Sequence, residues 1–200
     1  MNRTRTMTVR LPFNRREAAM AGWALAFAAL TGIGALLRVP LFPVPVTMQV
    51  FFVLLAGLLL GPRWGAASQL AYLAMGACGA PFFAAPPHAG PTVLFGPTGG
   101  YLWGFVAGAF VAGVARDHIV SRGRGAATSA LALFAAGLAA IAAIYLCGTA
   151  WLSVWLGSIS SAWRKGALPF ILPDAVKAGG AAAVASWELA KRRGLRKGGA

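Results

Sequence analysis

Only four acidic residues occur in this sequence: Glu17, Asp117, Asp174 and Glu188. Glu17 and Glu188 fall at the ends of apolar segments and Asp117 lies in a short polar stretch, whereas Asp174 sits inside a hydrophobic segment. Lys177 follows three residues later, so on a helix the two side chains share a face. Ionisable groups within an apolar span are costly to keep and mark functional sites by default. The plainer alternative is a structural ion pair that closes a helix bundle. As a site, the pair suits a ligand with both donors and acceptors. The carboxylate can accept two N–H bonds, and the ammonium can donate to a carbonyl or carboxylate oxygen. A wholly apolar ligand would leave both groups unpaired.

Two further runs could contribute. Thr47 and Gln49 follow a Pro-Val-Pro turn, where they could bond a ligand or, in the case of Thr47, cap a helix. The run Gly96-Pro97-Thr98-Gly99-Gly100-Tyr101 opens an apolar segment. It reads either as a turn with Thr98 at the helix start, or as a close backbone approach to a ligand with Tyr101 as a wall. No G-x-x-x-x-G-K-[ST] occurs, so the chain shows no nucleotide site of its own. H-E-x-x-H and G-x-S-x-G are also missing, which leaves no standard catalytic set. His88 and His118 are isolated in predicted loops, so no metal is expected. Cys78 and Cys147 sit in apolar stretches and read as small buried hydrophobes.

The elements that must position these residues follow from composition. The 200 residues are 58% hydrophobic and 11% charged. A soluble domain carries about 25% charged residues. The sequence therefore predicts an all-α polytopic membrane protein and excludes most soluble enzymes. Six helices are expected, over about 18–37, 47–60, 64–79, 99–115, 126–156 and 168–190. The second and third are short for spans of about 20 residues. Residues 38–46 carry three prolines, which break any helix. Residues 81–98 are apolar yet rich in Pro and Gly, so they must pack on protein or line a cavity, because unpaired backbone cannot face lipid. With six spans both termini lie on one side, and fourteen of the eighteen bases fall there. The positive-inside rule places both termini in the cytoplasm. The domain reading is a basic tail over 1–16, a membrane domain over 17–190 and a second basic tail over 191–200. The net charge of +14 then reflects topology and contact with anionic lipid rather than nucleic-acid binding. Asp174 and Lys177 fall on the outer side, below the two irregular loops, at the floor of a pocket open to the outside. Small residues also repeat at four-residue spacing, as Gly100, Gly104, Gly108 and Ala112, as Ala18, Gly22 and Ala26, and as Ala24, Ala28 and Gly32. Such stripes allow close helix packing, within the chain or with a membrane partner.

The run PLFPVPVTMQVFFVLLAGLLLGPRWGAASQLAYL, then GAPFFA, FGPTGGYLWGF and LPFILPDAVKAG, closely resembles the BioY family, the biotin-binding substrate (S) components of energy-coupling-factor vitamin transporters. The resemblance covers about residues 41–179. It implies a six-helix protein of the bacterial cytoplasmic membrane that captures biotin on the outer side. Uptake is then driven by a coupling membrane protein and two ATPase subunits, so ATP is used only by partners and biotin is cargo rather than cofactor. It implies that Asp174 accepts a ureido N–H. Lys177 meets either the ureido carbonyl or the valerate carboxylate, two orientations that stay open. Thr47, Gln49, Phe83, Thr98, Gly99, Gly100 and Tyr101 fall at motif positions expected to line the site, with Phe83 and Tyr101 supplying apolar area. The loop 83–96 departs from the Gly-rich form of the family, with Pro86, Pro87 and His88 in its place. Ala18, Gly22, Ala24, Ala26 and Ala28 resemble the docking surface for the coupling protein.

Two other classes compete. A stand-alone ion-coupled transporter would use Asp174 as a proton or sodium site, but one buried acid is little machinery and no inverted repeat is visible. An intramembrane enzyme could use Asp174 and Lys177 as acid and base, but no motif supports it, and the expectation is that the chain is not an enzyme.

Overall fold

The computed structural model describes residues 14–121 and 126–197, and within them the chain is mostly helical. Helix α1 (Arg15–Leu36) starts with a capping box: Asn14 Oδ1 accepts from the Glu17 backbone N–H at 2.9 Å, and the Glu17 carboxylate accepts from the Asn14 N–H at 3.4 Å. Two otherwise orphaned N–H groups are thereby satisfied. After α1 the prolines at 40, 43 and 45 admit only a minimal hairpin. Its strands β1 (Arg38–Val39) and β2 (Val46–Thr47) run antiparallel, with Arg38 opposite Thr47. Helix α2 (Gln49–Leu60) ends at Gly61, whose φ of 82° needs glycine, and Pro62 begins α3 (Pro62–Ala77). The short α4 (Thr92–Phe95) precedes α5 (Gly99–Ser121) and α6 (Ala126–Leu156). Then come α7 (Ile159–Gly166), a 3₁₀ turn over Leu168–Phe170, and α8 (Ile171–Lys197).

Six helices of twelve residues or more thus stand among the described residues: α1, α2, α3, α5, α6 and α8. The departures from expectation are local. Arg164 and Lys165, expected in a loop, lie in the last turn of α7, a helix that Ser158 caps by accepting from Ser161 N–H at 3.2 Å. Arg116, Asp117 and His118 continue α5 instead of forming a loop, because no Gly or Pro interrupts the chain between Gly113 and Ser121. Arg116 and Asp117 pair at 2.7 Å. Among the described residues, three stretches are long and apolar enough to cross a membrane: Arg15–Leu36, Ala130–Leu156 and Ile159–Lys191. Helix α2 has 12 residues, which is about 18 Å at 1.5 Å per residue and well short of a hydrocarbon core of about 30 Å. Helix α5 has 23 residues, but its five glycines lower its hydropathy.

The packing is that of a lipid-facing bundle. Helix α2 lies at its centre, against α1, α3, α5 and α8, and the largest interface joins α5 to α6. A Cβ built on Gly104 would lie 3.0 Å from Ile144 O, so these helices meet backbone to backbone there, while Gly100 and Gly108 make room for the Trp151 and Ile144 side chains. In lipid such close contact replaces the hydrophobic drive that would join helices in water. Ala112 instead meets Gly57 on α2. Polar groups turn inward: buried Gln69 donates to Ser68 Oγ at 3.0 Å and to Thr31 Oγ1 at 3.4 Å between α3 and α1. Large apolar groups turn outward, with Leu146 72% and Val154 83% exposed. The cysteines follow that outward pattern. Cys78 and Cys147, expected to be buried, are both exposed free thiols, Cys147 at the edge of the α5–α6 contact beside Gly104.

Candidate ligand-binding site

Helix α8 begins Ile171-Leu172-Pro173-Asp174, with proline and an acid in its first turn, both favoured there by fixed φ and by the helix dipole. That start fixes Asp174 at the end of the bundle, 2% exposed, with Lys177 at 9% one turn on. Lys177 Nζ donates to Asp174 Oδ1 at 2.6 Å. The second oxygen is also engaged: Tyr145, from the middle of α6, donates its hydroxyl to Asp174 Oδ2 at 2.8 Å. Burying such a pair is favourable only when its remaining hydrogen-bonding capacity is also met. Each carboxylate oxygen keeps a free lone pair and the ammonium keeps two N–H groups, so the cluster can still both donate and accept.

The cluster lines a narrow cavity of about 50 Å³. Thr47, Gln49, Phe83, Thr98 and Tyr101 line it too, so residues from the hairpin, α2, the α3–α4 loop and α5 converge on α8. Their other contacts show what each does. Thr47 Oγ1 donates to Gln49 Oε1 at 3.2 Å and accepts from the Gln49 N–H at 3.3 Å, so it organises the first residue of α2. Gln49 Nε2 donates to Tyr72 Oη at 2.6 Å, and Tyr72 in turn donates to Phe82 O at 3.2 Å. This relay ties the cavity wall to the backbone of the α3–α4 loop. Phe83, 1% exposed, stands edge-on to Tyr72 at 5.7 Å between ring centroids, over Gly76, where a Cβ would enter its ring. Tyr101 crosses from α5 to the end of α7, with its hydroxyl donating to Gly166 O at 2.8 Å.

Gly99 and Gly100, expected at the ligand, do not line the cavity. A Cβ on Gly99 would strike Leu94 O, and one on Gly100 would strike Trp151 on α6, so these glycines serve helix packing. Trp151 fixes the same turn by donating Nε1–H to Gly96 O at 2.9 Å. The expected docking residues of α1 also divide. Ala18, Gly22 and Ala26 are exposed, whereas Ala24 and Ala28 are buried at 5% and 0% on the face toward the bundle. Tyr145, Phe105 and Phe170 line the cavity and were not anticipated from sequence. Only Tyr145 carried a signal, as a hydroxyl midway along an apolar helix. The described residues contain no group of three or more His, Cys, Asp or Glu that could hold a metal ion.

The narrow cavity adjoins a larger one of about 460 Å³ between the hairpin loop and the α3–α4 loop. The two share Pro45, Ala84, Ala85, Val93 and Thr98. The site is thus a narrow polar floor beneath a wide vestibule.

Comparison with known proteins agrees with this architecture. The chain is 43% identical to the probable biotin transporter BioY of Pyrococcus horikoshii, over 80% of this chain and 89% of that protein. It is 39% identical to the biotin transporter BioY of Thermotoga maritima, over 76% of this chain and 84% of that protein. The crystal structure of the S-component for biotin from an ECF-type ABC transporter has the same fold, with a TM-score of 0.74 at 22% identity, over 90% of this chain and 95% of that one. The family model of BioY matches residues 6–194, and with these relatives it establishes that the chain belongs to the BioY family.

Proposed function

We propose that this chain captures biotin at the outer face of the cytoplasmic membrane, as the substrate-specific subunit of an ATP-driven uptake system of the energy-coupling-factor type. The observation that carries the reading is the buried Asp174–Lys177–Tyr145 cluster at the floor of an apolar-walled cavity, in a chain of the BioY family. Asp174 accepts a ligand N–H and Lys177 donates to a ligand oxygen, while Phe83 and Tyr101 cover the apolar part. Thr47, Gln49 and Thr98 complete the polar lining. The floor has room for about one or two waters. A bicyclic ring therefore enters only as the walls part, and the hairpin and the α3–α4 loop are the non-helical walls. The chain moves its ligand unchanged and is a transporter rather than an enzyme.

In this reading the six long helices form one membrane domain over 17–190. Both basic tails, 1–16 and 191–200, would lie in the cytoplasm against anionic lipid, a reading of the sequence alone, since residues 1–13 and 198–200 are outside the described residues. The exposed stripe Ala18, Gly22 and Ala26 receives the coupling membrane protein, and two ATPase subunits consume the ATP. The ion-coupled alternative is disfavoured because the Lys177 ammonium, 2.6 Å away, already neutralises the Asp174 charge that a sodium ion or proton would need.

The test is a biotin titration of the purified, detergent-solubilised protein, followed by calorimetry or by the fluorescence of its seven tryptophans. Saturable binding that weakens in Lys177→Ala is the expected result. Folded protein with no affinity for biotin would sink the reading.

A further inference from the structure

We propose that Arg38, with His88 beside it, forms an anion subsite in the outer vestibule that takes the carboxylate of the ligand, leaving the ring system to Asp174 and Lys177. The inference deepens the biotin reading and rests on it.

The vestibule is charged in one sense only. Arg38 and His88 are its ionisable lining residues, and no acid among the described residues lines it. Its other walls are mostly Pro, Ala, Leu, Phe and Val, and apolar walls strengthen the field of a lone cation. The inner floor is the opposite case. Asp174 and Lys177 neutralise each other at 2.6 Å. A ligand carboxylate placed there would compete with Asp174 for one ammonium and face a second anion at close range. Charge alone therefore sends the carboxylate outward.

Arg38 is placed for this by its backbone. It sits in β1 opposite Thr47, so one strand pair sets both the vestibule cation and a residue of the floor. Its Nη1 donates to Ala84 O at 2.5 Å and lies 3.1 Å from His88 Nδ1. Among the described residues Nε and Nη2 have no hydrogen-bond partner, which leaves the fork that suits a carboxylate. His88 itself is held at φ 70°, in the left-handed region that only glycine adopts freely. Its Nδ1 is also 3.0 Å from Phe83 O. One nitrogen cannot accept from Arg38 and donate to Phe83 O at once, so either tautomer leaves one contact unmade. A carboxylate that drew Arg38 toward itself would let Nδ1–H donate to Phe83 O without competition.

The experiment compares biotin with its neutral carboxamide on the unaltered protein, Arg38→Gln, Arg38→Lys and His88→Ala. The unaltered protein should prefer the acid by about tenfold or more, the weight of a charge-assisted hydrogen bond. Arg38→Gln should bind acid and amide alike, while Arg38→Lys keeps part of the preference. Arg38 also braces the α3–α4 loop, but loss of that brace weakens both ligands equally, so the ratio isolates the charge. His88→Ala should leave the preference standing but reduced. Equal binding of acid and amide by the unaltered protein, or an undiminished preference in Arg38→Gln, overturns the subsite while leaving biotin capture intact. No binding of biotin at all overturns both.

Discussion

At the scale of single residues, the site turns on how Asp174 is shared. Lys177 and Tyr145 hold one oxygen each, at 2.6 and 2.8 Å, so the carboxylate is oriented before any ligand arrives. Asp174→Asn keeps the shape and removes the charge. It should weaken biotin binding by about 2 kcal/mol, near thirtyfold, as expected for a hydrogen bond to a charged group. It should also lower the unfolding temperature, because Lys177 then stays buried without its partner. Unchanged affinity would remove Asp174 from the site. Tyr145→Phe asks a finer question. It leaves Oδ2 without its hydroxyl and should cost about 1 kcal/mol in stability. If Tyr145 positions Asp174, affinity also falls, by roughly fivefold. A loss of stability with unchanged affinity would make Tyr145 a structural residue only. The buried pairing of Asp174 with Lys177 was legible in the sequence because charge inside an apolar segment is rare. Tyr145 was not, because a tyrosine far along the chain meets Asp174 only through the α6–α8 packing, and no spacing rule reports a contact across 29 residues.

Among elements, the α5–α6 contact sets the width of the cavity, since Tyr101 stands on one helix and Tyr145 on the other. Gly104 and Gly108 both lie against Ile144, one residue before Tyr145. Gly104→Val would force its branches into Ile144 O and Cα, which already lie 3.0 and 3.1 Å from the ideal Cβ position. Overpacking of this kind costs about 1–3 kcal/mol. Thermal unfolding should show the loss, and biotin affinity should fall as the two tyrosines separate. A variant as stable as the parent would mean that the helices part here freely. The glycine spacing did predict close packing, and it also explains why Gly99 and Gly100, expected at the ligand, pack against Leu94 and Trp151 instead of lining the cavity. A glycine run reads the same whether helix or ligand approaches it, and only the position of Trp151 decides between them. The long helices were legible from apolar runs and proline breaks. Helix α7 was not, because eight amphipathic residues between two helices carry the composition of a loop.

For the whole molecule, the proposed capture site and the proposed docking stripe share no residue, so their effects can be separated by mutation. The floor and vestibule are built at one end of the bundle by α2, α5, α8 and the two irregular loops. The exposed stripe of Ala18, Gly22 and Ala26 belongs to the first half of α1, away from the cavity lining. Nothing lies within 4 Å of a Cβ built on Gly22, so a larger residue there meets no part of this chain. Gly22→Leu should therefore keep both the fold and the biotin affinity, with an unfolding temperature within about 2 °C of the parent, since exposed substitutions of this kind change stability by roughly 0.5 kcal/mol or less. Uptake should nonetheless fall sharply in cells that carry the coupling protein and ATPases, because a stripe of small residues serves close helix approach and leucine would hold a partner helix away. The same assay separates the driving force. Uptake should require ATP hydrolysis by the partners and should survive an uncoupler that leaves cellular ATP intact. Full uptake by Gly22→Leu would remove α1 from the docking surface. Uptake that collapses with the membrane potential while ATP persists would instead return Asp174 to the role of an ion site.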